Sequence, residues 1–181
     1  MKLTIRTDRL TLRTLDEAAA DDVLAFEERN REHLKPWEPW RDPEYYTYRH
    51  QRLLLEDDCK QMNEGRLLRL WICKDDRIIG SAALSNIVRG AFQSCHLGYK
   101  IDAEEAGRGY MTEAVRALVE IGFETMKLHR IEANIMPRNA ASLRVVEKLG
   151  FQPEGLARKY LKINGVWEDH IHMVLLNERF E

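Results

Sequence analysis

Two glycines at alternate positions, Gly107 and Gly109, stand where a strand-like run hands over to a helix-like one. Cys95 to Ile101 is β-like and ends in a charged turn; after the glycines, Met111, Ala114, Val115, Leu118 and Ile121 recur at helical spacing. Strand, glycine turn and helix N-terminus together make an anion site. Glycines let the backbone come close to a ligand, first-turn amides have no intrahelical partner, and the helix dipole favours negative charge there. A diphosphate is the expected guest, although a plain strand-to-helix connection would use the same residues. The sequence lacks the lysine-serine pair of a P-loop and the third glycine of a dinucleotide fold. Proton chemistry has fewer candidates. His96, on the strand before the turn, carries an imidazole, the side chain most often used for proton transfer, although a strand histidine also serves structure. Glu38 is a carboxylate in a loop, and Asp169-His170 either orient the last strands or touch a substrate.

These residues need a scaffold, and 181 residues suffice for one domain with a real core. Hydrophobic residues make up 44% and charged ones 32%, as in ordinary globular proteins. A formal net charge of −2 argues against nucleic acid or a membrane surface as the main partner. The opening MKLTIRTDRLTLR lacks a signal peptide's apolar core, and no run approaches the roughly 20 apolar residues of a membrane span. Cys59, Cys73 and Cys95 are odd in number and lack metal-ligand grouping, so reduced thiols, no metal and a cytoplasmic location are expected.

Leu3, Ile5, Leu10 and Leu12 alternate on either side of a Thr7-Asp8 break, as a first strand or hairpin. A helix starts near Asp16 and is expected to end near Asn30. Asn30 to Tyr46 holds three prolines with Trp37 and Trp40, and reads as a loop. A surface helix over Tyr46 to Glu64 stops at Gly65. Leu67 to Lys74 and Ile78 to Ile87 are strands joined at Asp75-Asp76. Beyond the glycine helix, Arg130 to Pro137 alternates as a strand, and Asn139 caps a helix with Leu143, Val146 and Leu149 inside, closed by Gly150. Tyr160 to Ile163 and Val166 to Leu176 flank Asn164-Gly165, a strong hairpin signal. The order β, two helices, three strands, helix, strand, helix, two strands predicts an α/β mixed sheet covered on both faces.

An E-x-x-G-x-G turn (Glu104 to Gly109) between strand and helix, then N-A-A-S from Asn139 and E-K-L-G-F from Glu147, resembles the GNAT superfamily of acetyl-CoA-dependent N-acetyltransferases. L-K-P-W-E-P-W-R (Leu34 to Arg41), S-N-I-V-R-G (Ser85 to Gly90), H-R-I-E-A-N-I-M-P-R-N (His129 to Asn139) and Y-L-K-I-N-G-V-W-E-D-H (Tyr160 to His170) are similar to its ribosomal-protein-alanine branch. The likeness spans nearly the whole chain. It implies a mostly antiparallel seven-stranded sheet, splayed at its middle and covered by about four helices. Acetyl-CoA would lie in the splay between the strand ending at Ile101 and the strand from Arg130. The amides of Gly107, Arg108, Gly109, Tyr110, Met111 and Thr112 would meet the pyrophosphate. Asn139 and Ser142 would face the pantetheine and thiol. Two departures matter. Glu104 replaces the usual arginine or glutamine. Val146 replaces the tyrosine that many members use as general acid, which leaves Ser142 or a water for that role.

N-acetyl transfer needs a neutral amine. At pH 7, deprotonation costs about 1 kcal/mol for an α-amino group and about 4.6 kcal/mol for lysine. A terminus therefore needs only a weak base. His96 stands two places before Gly98-Tyr99, where family members carry a polar residue, and is the first candidate; Glu38 is the second, as base or as partner of the substrate ammonium. Trp37, Glu38 and Trp40 would form an acceptor groove with an indole floor. Three readings follow: acetylation of a protein N-terminus, acetylation of a small amine, or acyl-CoA binding without turnover.

Overall fold

The apolar alternation that opens the chain forms two short strands, β1 (Thr4–Arg6) and β2 (Thr11–Arg13), paired antiparallel. The computed structural model describes residues 2–180. Next come α1 (Ala20–Leu34), α2 (Tyr48–Asn63), β3 (Leu68–Lys74), β4 (Arg77–Val88) and β5 (Ser94–Ile101). Then follow α3 (Tyr110–Glu120), β6 (Arg130–Ile135), α4 (Ala140–Lys148), β7 (Gln152–Ile163) and β8 (Val166–Leu176). One eight-stranded sheet holds them in the order β1-β2-β3-β4-β5-β6-β8-β7. The fold is thus the mixed α/β sheet with four α-helices that was expected. It has eight strands rather than seven because the Thr7-Asp8 break divides the opening run in two.

Both faces of the sheet are covered, and β3 shows why its residues run almost continuously apolar. Leu68, Leu70 and Ile72 join one core with Met111, Val115 and Leu118 of α3 and Val146 of α4. The alternate residues Trp71 and Cys73 join a second core with Val23 and Phe26 of α1 and Leu55 of α2. A period of two carries each side chain to its own layer. The β3–β4 turn has φ of 48° at Asp75 and 63° at Asp76, as a tight hairpin requires.

Three boundaries differ from expectation. First, α1 runs past Asn30 to Leu34. Asn30 is fully buried inside the helix because its amide donates to the Phe26 carbonyl (3.0 Å) while its Oδ1 receives the Ala103 amide (3.0 Å). Pro36 sets the end instead. Second, the proline-tryptophan segment contains two 3-10 turns, Lys35–Trp37 and Pro43–Tyr46. Third, β7 begins at Gln152, well before Tyr160. Its register shifts at Pro153/Gly155 and again at Ala157/Leu161, and most of it is exposed, so no alternation marks it.

One irregularity positions the site. Among the described residues only β5 and β6 pair in parallel, joined by the α3 crossover, and they share just three partners: Ser94↔Arg130, Cys95↔Ile131 and His96↔Glu132. Beyond these, β5 continues to Ile101 and β6 to Ile135 without pairing to each other. The sheet splays open there.

Candidate active site

The β5 arm of the splay ends in the glycine turn. Asp102 caps a 3-10 turn over Ala103–Glu105, and Gly107 and Gly109 follow with φ of 76° and 81°. Those left-handed angles explain why glycine stands at both positions. A Cβ on Gly107 would meet nothing within 4 Å, so that side of the turn is open. Gly109 is the N-cap of α3, and no side chain caps this helix. Its first amides are therefore free for an anion. Glu113 sits in that first turn and would repel one, but it is drawn aside. It accepts from the Thr7 hydroxyl (2.6 Å), the Arg9 amide (2.9 Å) and Arg9 Nε (2.7 Å). Burial would raise the Glu113 carboxyl, yet these donors hold it below its ordinary value. Arg9 also donates to the Arg108 carbonyl (3.0 Å) and lies over the Tyr110 ring. Nothing near Arg9 in the sequence signals this brace, which acts 99 residues away from its own position.

Across the splay, Asn139 caps α4 by accepting the Ser142 amide (3.2 Å). The hydroxyl of Tyr99, on β5, donates to the Ser142 carbonyl (2.8 Å) and so links the two arms. Burial pushes the Tyr99 phenol up to about 12. Val146 is fully buried in the core, and the hydroxyl at this crossing comes from Tyr99.

On the opposite face, α1, α2 and the strands enclose a cavity of about 410 Å³ that reaches Ser85, Gly98 and Tyr99. Its apolar wall is Val23, Leu54, Leu55 and Trp71. Its charges balance: Glu27, Glu38 and Asp58 stand against Arg41, Arg69 and Lys100. Lys100 reaches Glu27 at 2.6 Å and Glu38 at 3.1 Å. Burial alone would lower the Lys100 ammonium's pKa, but the two carboxylates and Tyr45 raise it above its usual value. Glu38, bound to Lys100 and 3.8 Å from Arg41, is therefore already partnered. Burial pushes the Asp58 carboxyl up, even with Arg69 at 2.7 Å.

The two indoles expected to floor this cavity sit elsewhere. Trp37 packs under the Arg138 guanidinium, and Trp40 is 64% exposed beside a smaller hollow with Tyr46 and Asn164. Val23 of α1 and Leu54 and Leu55 of α2, with Trp71 of β3, supply the apolar wall instead.

His96 does not stand alone. Its Nδ1 lies 3.2 Å from the Asn86 amide and its Nε2 lies 3.7 Å from Glu132. Glu132 is also 3.2 Å from Nδ1 of His172 and accepts from Arg130 (2.9 Å). Burial would raise the Glu132 carboxyl, but Arg130, Asn134 and the two imidazoles keep it below its ordinary value. Arg130 lies on an interior strand and bonds Glu132 and Glu154. His170 is buried with Nδ1 at the Glu168 carbonyl, and Asp169 accepts the Lys159 amide; both brace the final hairpin. His172 escaped the sequence reading, although strand alternation puts it on the same face as His170. Among the described residues, no group of His, Cys, Asp and Glu could hold a metal ion, and no helix is long and apolar enough to cross a membrane.

Comparison with known proteins bears on the family and the fold. A family described as "Acetyltransferase (GNAT) domain" matches residues 9–152. The chain is 42% identical over 168 residues to the probable N-acetyltransferase YjcK of Bacillus subtilis, covering 92% of this chain and 93% of that one. To the [ribosomal protein uS5]-alanine N-acetyltransferase of Escherichia coli it is 38% identical over 172 residues, covering 94% and 89%. A solved structure of Mycobacterium smegmatis RimJ in complex with CoA-disulfide superposes with a TM-score of 0.91 at 27% identity, covering 98% and 88%.

Proposed function

The chain belongs to the GNAT acetyltransferase family and is an acetyl-CoA-dependent N-acetyltransferase; from that premise we propose that it acetylates the α-amino group of a protein N-terminus, with a ribosomal protein as acceptor. The observation that carries this reading is the 38% identity, over most of both chains, to an enzyme named for the alanine of ribosomal protein uS5. A ribosomal acceptor would put the enzyme in the cytoplasm, and we read its 181 residues as one catalytic domain.

In this reading the amides of Gly107 to Thr112 hold the pyrophosphate at the N-terminus of α3. The unpaired edge of β5 from Leu97 to Ile101 receives the pantetheine, with Asn139 and Ser142 facing it from α4. The acceptor's first residue enters the cavity beneath α1 and α2. Its balanced charges suit an amine that must shed its proton: a surplus of carboxylates would hold the ammonium form. Glu38 takes the role of holding Lys100 at the cavity wall. Trp37 and Trp40, on either side of Glu38 in the chain, meet the acceptor beyond its first residue. The amine then attacks the thioester carbonyl, the C–S bond breaks, and Ser142, Tyr99 or a water hands the sulfur its proton.

The test is a choice between peptides. Short peptides beginning with a small residue such as alanine should be acetylated at least about tenfold faster than peptides blocked at the N-terminus but carrying lysines. The difference in deprotonation cost, about 3.5 kcal/mol at pH 7, allows for more than that. Equal rates on both would refute the terminus reading. Turnover of a free amine, with neither peptide reacting, would point to the small-amine reading.

A further inference from the structure

The two histidines flanking Glu132 are not equivalent. Asn86 donates its amide to Nδ1 of His96, so neutral His96 carries its proton on Nε2, toward Glu132. Both of its nitrogens are then engaged, and it has no lone pair left for a substrate. His172 is arranged the other way. Its Nδ1 faces the Glu132 carboxylate at 3.2 Å and must carry the proton, which leaves the Nε2 lone pair as the acceptor. That Nε2 is shut off from solvent and has no hydrogen-bond partner. Buried polar atoms in a folded protein are rarely left so. Asn134, the direct partner of His172 across β6 and β8, likewise has a buried, unpartnered Oδ1, while its amide reaches the Tyr160 hydroxyl at 3.5 Å. Two orphaned acceptors side by side are what an ammonium, a donor with no acceptor of its own, would satisfy. Neither lines the cavity beneath α1 and α2, but both stand next to it: its lining residue Ser85 pairs with His96, and His96 and His172 share Glu132. Asn134 is the second residue of β6 beyond its last pairing with β5, on the lip of the splay.

We propose that His172, held in its tautomer by Glu132, is the catalytic base that takes a proton from the acceptor's ammonium, while Oδ1 of Asn134 orients that ammonium. The inference rests on the reading of the acceptor as an α-amine. One proton moves from the ammonium to Nε2 of His172, and the freed lone pair forms the C–N bond. The C–S bond breaks, the second nitrogen proton passes to the sulfur, and His172 gives up its proton once the products have left and water has refilled the cleft. One amide, one thiol and one proton result. Several charged and titratable groups surround His172. Glu132 faces it from β6, with Arg130 behind; His96 stands on β5. From β7, the Tyr160 ring packs against it at 4.9 Å and Glu154 binds Arg130, and His170 lies on its own strand.

The test compares variants at two pH values. At about pH 6.5 the α-amine is mostly protonated and a base is needed; at about pH 9 it is mostly neutral. His172→Gln should cut kcat/KM by about 100-fold at the lower pH and only a few-fold at the higher one. His96→Gln should lose activity by a factor that does not vary with pH. A deficit of His172→Gln that is the same at both values, or a pH-dependent one in His96→Gln alone, would overturn the assignment. Failure of the acceptor reading shows separately, as no turnover of peptides by the unmutated chain, and the same ratios are then taken on whichever amine it accepts. Nitrogen-15 spectra of the histidine rings in the intact chain need no acceptor. They should show His172 with its proton on Nδ1, and with a smaller share of that tautomer in Glu132→Gln. A proton on Nε2 in the unmutated chain would sink the proposal.

Discussion

Arg9 is half exposed and far from the glycine turn in sequence, yet it decides what charge the turn presents. By binding Glu113 it turns the carboxylate of the first turn of α3 away from the helix end, and through the Arg108 carbonyl it steadies the glycine turn. Replacing Arg9 by methionine should release Glu113 toward the anion site. A single charge at a helix terminus changes binding by about two- to fivefold. The CoA dissociation constant, measured by calorimetry at low salt, should rise by that factor, and the rise should shrink in high salt. An unchanged constant at low salt would show that Arg9 serves the fold alone. Gly107 and Gly109 were legible in the sequence because backbone angles near +80° leave few alternatives to glycine. Arg9, Glu132 and His172 were not, because their meaning comes from neighbours that only the folded sheet supplies.

Among the elements, the join between α1 and the glycine turn carries more than its length implies. Asp102 is fully buried, accepts Arg29 Nε at 2.7 Å and caps the turn through the Glu104 amide, while Asn30 receives the Ala103 amide. Burial would raise this carboxyl, but Arg29, the Glu104 amide and Asn30 hold it below its ordinary value. A carboxylate with a lowered folded pKa adds stability that is fully present above its unfolded pKa of about 3.9 and lost as pH falls through the folded value. Asp102→Ala should therefore cost about 3 kcal/mol at pH 7, since it leaves Arg29 without its buried partner. Asp102→Asn should flatten the acid side of the stability profile. Denaturant melts between about pH 3 and pH 7 would show both effects; parallel profiles for the asparagine variant and the unmutated chain would refute the account. Elements with a buried face announced themselves: β3 by its apolar run, α3 and α4 by their spacing, the last hairpin by Asn164-Gly165. The first half of β7 did not, because bulges and exposure on both faces erase the alternation. Nor did the end of α1, where Asn30 is a buried interior residue with both amide atoms bonded.

At the scale of the whole molecule, the expected mixed sheet with helices on both faces is present, and so is its splay. What could not be foreseen was how short the strand pairing between the two halves is: among the described residues, three residue pairs of β5 and β6 join strands β1 to β5 with β6 to β8, and a shared core does the rest. A sheet rarely carries a bare strand edge in its interior, and along Leu97 to Ile101 this one does. Such an edge invites another extended chain to add on. On the proposed reading, an acetyl-CoA arm with its own amide groups lies along this edge and stands in for the missing neighbour. The donor is then also a structural component, a stand-in ninth strand. At a concentration 100 times its dissociation constant it should add about 2.7 kcal/mol of stability, or roughly 5–10 °C in melting temperature for a chain of this length. Amide exchange should slow most along Leu97 to Ile101 when the donor is bound, and equal protection with and without it would refute the stand-in role.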